Sequence, residues 1–171
     1  VEPSDAVMLQ SDYPDLLSGD DVSMLAANSY GVCEYLDTFR LDDDLTVDAP
    51  DHSLAYHGHC HQKATKKDHH AVGVLRRAGY VVDPLDSGCC GMAGSFGYES
   101  EHHAMSMAIG DTLEGQVAGS EAEAVVAPGA SCRTQLADLA VDTDGAFAGV
   151  DRDEPPTPIE ALDAAIAGAD R

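Results

Sequence analysis

Ser53-Leu54-Ala55-Tyr56-His57-Gly58-His59-Cys60-His61-Gln62-Lys63 decides the fold. Residues 53–57 are a short apolar run that reads as a β-strand, and the chain then passes through glycine and histidine to a cysteine. Across residues 63–78, Ala64, Ala71, Val74, Leu75 and Ala78 recur close to helical period, with Gly79 as a helix stop. Residues 80–83 return to strand character. Strand, helix and strand in this order make a βαβ unit, whose strands are parallel.

Working outward, residues 98–117 carry Met105, Ala108, Ile109, Leu113 and Val117 on one predicted helical face. A third strand is expected at 123–127 and a further helix from Ser131 or Cys132 to about Leu139. Residues 142–156 read as loop. Thr157 then offers an N-cap, with Pro158 at the first position of a terminal helix over 158–167. The expected fold is α/β, a short parallel sheet with flanking helices in Rossmann-like layers.

Residues 1–50 differ from the rest. Short helices are expected at 4–9, 22–28 and 30–39, followed by the acidic turn Asp42-Asp43-Asp44. Val1-Glu2-Pro3-Ser4 reads as a strand end running into a helix cap, as in a piece cut from a longer polypeptide. Val1-Glu2-Pro3-Ser4-Asp5 is also a faint copy of Val126-Ala127-Pro128-Gly129-Ala130-Ser131-Cys132, with Asp5 standing where the later copy has Cys132. The chain therefore divides into a helical segment, 1–50, and a cysteine-rich domain, 51–171.

Composition narrows the function. At 171 residues with 44% apolar side chains the chain suffices for one domain with a real core. Its 31 acidic and 9 basic residues give a formal charge of −22, which repels nucleic-acid phosphates and anionic lipid. Such an acidic, lysine-poor surface reads as that of a protein from a high-salt cytoplasm, with an acidic docking surface as the alternative. All three lysines, Lys63, Lys66 and Lys67, follow Cys60 closely. Five cysteines do not form the even framework of a secreted domain, so a reducing cytoplasm is expected. No stretch matches a spanning helix or a signal peptide, so any membrane contact is indirect, through a partner at the inner face.

The chemistry concentrates in Asp86-Ser87-Gly88-Cys89-Cys90-Gly91-Met92-Ala93-Gly94-Ser95-Phe96-Gly97. Side chains of adjacent cysteines diverge and serve packing poorly, whereas a polynuclear iron centre accepts one sulfur on each of two irons. Cys60, Cys89, Cys90 and Cys132 each fall at or just after a predicted strand end, where open α/β sheets place ligands. Because 28 residues separate Cys60 from Cys89 and 41 separate Cys90 from Cys132, only the folded sheet can gather them. Four thiolates suit an iron-sulfur cluster or a structural zinc ion.

Gly88, Gly91 and Gly94 permit close backbone approach, so that N–H groups point at sulfur. His57, His59 and His61 alternate, which in an extended chain puts three imidazoles on one face and Cys60 on the other. His59 and His61 are expected beside the metal rather than on it. Lys63 and Arg133 are expected to offset thiolate charge. Cys33 reads as a packed thiol, and His69, His70, His102 and His103 as surface residues.

The segments 56–64, 86–98 and 129–133 resemble the C-terminal cysteine-rich domain of iron-sulfur oxidoreductases, known for a CCG signature, a family with members among the heterodisulfide reductases. The run 87–99 is most similar to the fused FAD-linked dehydrogenases of D-2-hydroxy acids. The resemblance, spanning about 54–160, implies one cluster of 4Fe-4S type on Cys60, Cys89, Cys90 and Cys132. It also implies partner FAD-binding and ferredoxin-like domains, fused or separate, and no catalysis by this part alone. Family domains carry two CCG repeats, and the 1–5 segment resembles the tail of a degenerate first one. Cys132 is followed by Arg133-Thr134-Gln135 rather than a CxxC ending, which points to electron relay rather than disulfide reduction.

Overall fold

The computed structural model describes residues 2–47, 49, 52–139 and 154–166. Three parallel strands, β1 (Ser53–Tyr56), β2 (Val81–Pro84) and β3 (Ala124–Val126), form a sheet in the order β2-β1-β3. Leu54 lies opposite Val82 and Ala124, and Tyr56 opposite Pro84 and Val126. The strand carrying the Cys60 loop is thus central, and those carrying the Cys89-Cys90 and Cys132 loops flank it. The βαβ unit and the parallel α/β architecture expected from the sequence are both present.

Helices cover the sheet on both sides. In chain order they are α1 (Pro3–Val7), α2 (Tyr13–Leu16), α3 (Asp20–Ala27), α4 (Val32–Phe39), α5 (Cys60–Ala64), α6 (His69–Arg77), α7 (His103–Gly119), α8 (Ala130–Asp138) and α9 (Pro158–Ala165). A π-helical stretch, Met8–Asp12, joins α1 to α2. One core combines Leu54, Tyr56, Val74, Leu75, Val82 and Val126 with Cys33 of α4 and Ala161, Leu162 and Ala165 of α9. On the other side Ala55, Leu85, Cys90, Met92, Leu113, Val125, Cys132 and Leu136 pack together. Burying each of these larger apolar side chains contributes about 1.5–3 kcal/mol. Two of the four candidate ligands therefore sit in the wall of a core.

Several local expectations change. The helix expected over 63–78 is two helices, because Lys66 takes a left-handed φ of 58°. The Lys67 N–H donates to Gln62 O and the Lys66 N–H to Lys63 O, a Schellman ending with lysine where glycine is usual. Gly79 ends α6 in the same way, as its position suggested.

The helix expected at 98–117 begins only at His103, after a 3-10 turn at Phe96–Tyr98. Its buried residues are Ser106, Gly110 and Leu113, whereas Met105, Ala108 and Ile109 are exposed. Small residues turn inward because Gln135 of α8 lies there. Its Nε2 donates to Ser106 O at 3.3 Å and passes 2.4 Å from where a side-chain carbon at Gly110 would be. Thr157 and Glu160 form a reciprocal capping box at the start of α9, as the Thr-Pro pair predicted. Val1 and most of the 142–156 loop lie outside the described residues.

α4 docks on α6 through charge as well as packing. Arg77 Nε donates to Asp42 Oδ2 at 2.6 Å, and its Nη2 lies 2.7 Å from Asp37 Oδ1. Lys67 Nζ reaches Glu34 Oε1 at 2.6 Å and Gln10 Oε1 at 2.8 Å. Among the described residues no helix is long and apolar enough to cross a membrane.

Candidate metal centre

Cys60 is the first residue of α5, four residues past the end of β1; the Cys89-Cys90 turn follows β2; Cys132 lies in the first turn of α8, which follows β3. Parallel strands point their C-terminal ends the same way, so the three loops meet above one sheet edge. There they surround a cavity of about 370 Å3 lined by Cys60, Cys89, Cys90 and Cys132, with His59, His61, Ala93 and Gly94. Ser131 and Ser4, the serines of the two related segments, complete the wall.

Cys90 and Cys132 are buried and Cys60 and Cys89 are partly open, all as free thiols. His57, Cys90 and Cys132 are all buried and offer donor atoms within 4.8 Å of one another.

Backbone N–H groups converge on the sulfurs. Gly91 N donates to Cys89 Sγ at 3.3 Å, and the backbone at Met92 and His61 favours the thiolates of Cys90 and Cys60. The neighbouring Cys132 thiol, with His57 and the Met92 backbone close by, holds Cys90 well below the usual thiol range despite its burial. The same Cys90 neighbour, with burial, pushes Cys132 up. Burial and the nearby Cys89 push Cys60 up as well. Ionised together, the sulfurs of Cys90 and Cys132 would repel, and binding a cation relieves that repulsion.

The other expected site residues take different places. His59 caps α5, its Nδ1 accepting from His61 N at 3.3 Å, while its Nε2 lies 3.5 Å from Ser4 Oγ. Burial holds His59 below the ordinary imidazole range. His61 is exposed at the rim, its ring 5.2 Å from that of His59. The alternation expected for 57–61 is absent, because β1 ends at Tyr56 and a helix starts at Cys60.

Gly91 has a φ of 104° and supports the turn from behind, Gly94 has a φ of 69° and lines the cavity, and Gly88 is exposed with open space around it. Lys63 does not reach the cavity; its Nζ donates to both the carbonyl and hydroxyl oxygens of Ser87. Arg133 turns away altogether, its Nε donating to Pro155 O at 2.6 Å beside Glu154. Cys33 is buried in the core, its thiol pushed up to about 12 by that burial, as a packed cysteine. His70 pairs with Asp37 at 2.7 Å instead of standing free on the surface.

Sequence reasoning gave His57 no separate part. Its backbone N–H donates to Val126 O, its Nδ1 is 2.6 Å from Ser87 Oγ, and its buried Nε2 has no nitrogen or oxygen partner. Leu85 and Ala127, which follow the paired positions of the two flanking strands, are apolar and buried. A histidine at that level of the sheet was the available signal.

Donor chemistry and geometry fit a thiophilic metal centre. Four cysteines line one cavity, a buried histidine stands beside two of them, and the Gly91 N–H donates to a third.

The chain is 28% identical over 137 residues to the C subunit of the anaerobic glycerol-3-phosphate dehydrogenase of Escherichia coli strain K12, and equally to that of strain O157:H7. The match covers 75% of this chain and 33% of those relatives, so the chain spans about a third of the length of the curated relatives it matches. The cysteine-rich domain model of the CCG family matches residues 54–137, from the central strand to the helix bearing Cys132. Over residues 54–137 the chain thus carries a cysteine-rich domain of the CCG type.

Proposed function

We propose that this chain is an electron-transfer module in which Cys60, Cys89, Cys90 and Cys132 hold one iron-sulfur cluster of 4Fe-4S type. The observation that carries the reading is the convergence of four sulfurs from three strand-end loops on a single cavity of about 370 Å3. A lone ion with four close ligands leaves no such space, since zinc–sulfur bonds are about 2.3 Å long. When bound, the cluster accepts and releases single electrons. The Gly91 N–H donor offsets thiolate charge and raises the reduction potential, and the partly open Cys60 and Cys89 face the side from which a partner approaches.

The relatives' name, that of a dehydrogenase component, supports a place in a larger oxidoreductase. In the proposed arrangement an FAD-binding domain oxidises a 2-hydroxy acid or a similar small substrate, ferredoxin-like clusters follow, and this module passes the electrons on. The segment 1–50 acts as the remnant of a first repeat, and the acidic surface suits a salt-rich cytoplasm. Lys63 and the turn glycines brace the loop, and His59 and His61 shield the cavity mouth.

One observation favours a second reading, structural zinc: the buried trio His57, Cys90 and Cys132, with donor atoms within 4.8 Å. Metal and acid-labile sulfide analysis of protein prepared without oxygen in high salt separates the two. The expected result is iron and sulfide in near-equal amounts, with an absorption that bleaches on reduction, lost in Cys89→Ser and kept in Cys33→Ser. Zinc without sulfide would overturn the electron-transfer reading.

A further inference from the structure

Ser87 and His57 form a buried chain that leads from Lys63 to the sulfur cluster. Lys63 Nζ donates to Ser87 Oγ at 2.9 Å and also to the Ser87 carbonyl. An ammonium carries no acceptor, so Ser87 Oγ receives one hydrogen there and has its own O–H left to place. The hydroxyl is in a residue 5% exposed, and the one other partner found for it among the described residues is His57 Nδ1, at 2.6 Å. A buried hydroxyl donates where it can, because an unmade bond costs about 1–3 kcal/mol. Ser87 therefore donates to Nδ1, and the neutral imidazole carries its hydrogen on Nε2.

That Nε2 is buried and without a hydrogen-bond partner, and His57 has a ring nitrogen within 4.8 Å of the sulfurs of Cys90 and Cys132. An N–H there has these sulfurs as the acceptors available to it; it is not a lone pair free to bind metal. We propose that His57 is a positioning residue which, with its tautomer fixed by the Lys63–Ser87 pair, donates an Nε2–H···S hydrogen bond to the Cys90 side of the metal centre and raises its reduction potential. The inference rests on the iron-sulfur reading above. It identifies what the lysine beside Cys60 does: instead of neutralising sulfur directly, it sets the direction of a three-member hydrogen-bond chain.

The test compares the anaerobically reconstituted wild-type chain with His57→Leu, His57→Gln, Ser87→Ala and Lys63→Met, measuring iron, sulfide, midpoint potential and nitrogen hyperfine coupling of the reduced state. Expected are full iron and sulfide in all variants and a more negative potential in His57→Leu. Smaller shifts of the same sign should follow in Ser87→Ala and Lys63→Met, with recovery in His57→Gln, whose amide restores an N–H. Wild-type nitrogen coupling should be weak, as for a hydrogen bond to sulfur.

A wild-type potential in His57→Leu with full iron and sulfide would overturn the chain while leaving the cluster reading intact. Iron lost from both His57 variants, or strong nitrogen coupling, would make His57 a ligand and overturn it too. Should His57→Leu not fold, an unchanged potential in Ser87→Ala overturns the chain equally. Wild-type protein without iron and sulfide would instead overturn the underlying reading.

Discussion

Replacing Gly91 by alanine should damage the fold and the metal centre together, and the size of the first effect follows from geometry. Gly91 has a φ of 104°, where side chains are strained by about 1–3 kcal/mol. A Cβ placed there would lie 2.3 Å from the Ser106 carbonyl oxygen and 3.1 Å from its carbon. Those are backbone atoms of α7, which cannot swing aside as a side chain could, so overpacking adds about 1–3 kcal/mol. The sum, about 2–6 kcal/mol, is a large share of the roughly 5–15 kcal/mol that holds a domain together.

With an m-value of about 2 kcal/mol/M, the urea midpoint of the metal-free chain in high salt should fall by roughly 2 M. Gly88→Ala is the control. Gly88 is exposed, has nothing within 4 Å of a new Cβ and has no positive φ, so its change should stay within about 0.5 kcal/mol. Because the Gly91 N–H donates to Cys89 Sγ, Gly91→Ala should also bind less iron than Gly88→Ala. A loss below about 1 kcal/mol in Gly91→Ala, or equal losses at the two positions, would refute the argument that α7 fixes the turn from behind.

Arg77→Ala should cost about 3–5 kcal/mol in the same assay, since it leaves the Asp42 carboxylate, 3% exposed, without its partner; Arg77→Lys should rescue little, because two of the contacts to Asp42 use the guanidinium fork. Glu34 is pushed up by burial but more strongly held down by hydrogen bonds from Lys67, Gln10 and the Gly31 N–H. Its folded pKa lies below its unfolded one, so its contribution is present above the unfolded value and is lost as pH falls through the folded one; Glu34→Gln should flatten that part of the stability–pH curve and cost about 1–3 kcal/mol at neutral pH. With 31 acidic and 9 basic residues, the chain should unfold at a higher temperature in molar potassium chloride than in dilute buffer, as screening removes self-repulsion; thermal scans across a salt series check this.

Much of the fold was legible because strand and turn signals agree with the global arrangement. Leu54 to Tyr56 and Ala124 to Val126 are apolar at each position because these strands are covered on both faces, and Gly79 and Thr157 punctuate their helices with the expected residue types. The break after α5 was hidden because a lysine, Lys66, occupies the left-handed position where glycine would have announced it. The buried face of α7 was misread because its contacts are made by Ser106 and Gly110, whose small size matters only in view of Gln135 on another helix. Arg133 was misplaced for a similar reason: Pro155 and Glu154, which hold it, lie more than twenty residues on.

The cysteines were legible for a deeper reason than spacing. A protein carrying a net charge of −22 that places four thiols around one cavity has little free cationic charge to set against them: Lys67 is paired with Glu34, Arg77 with Asp37 and Asp42, and Arg133 with Glu154. What compensates the sulfur is the backbone itself. Cys60 begins a helix, Cys132 lies in the first turn of another, and Cys89 and Cys90 precede a glycine of positive φ whose own N–H turns back to Cys89. Helix starts and turns of this kind leave N–H groups that secondary structure does not use, the chemistry a thiolate calls for. Strand end, cysteine and glycine or helix start therefore recur together along the sequence because one electrostatic requirement selects all three. Lys63 is the exception that fits this rule: it is the cation nearest Cys60, and its contacts run to Ser87 and through it to the imidazole of His57.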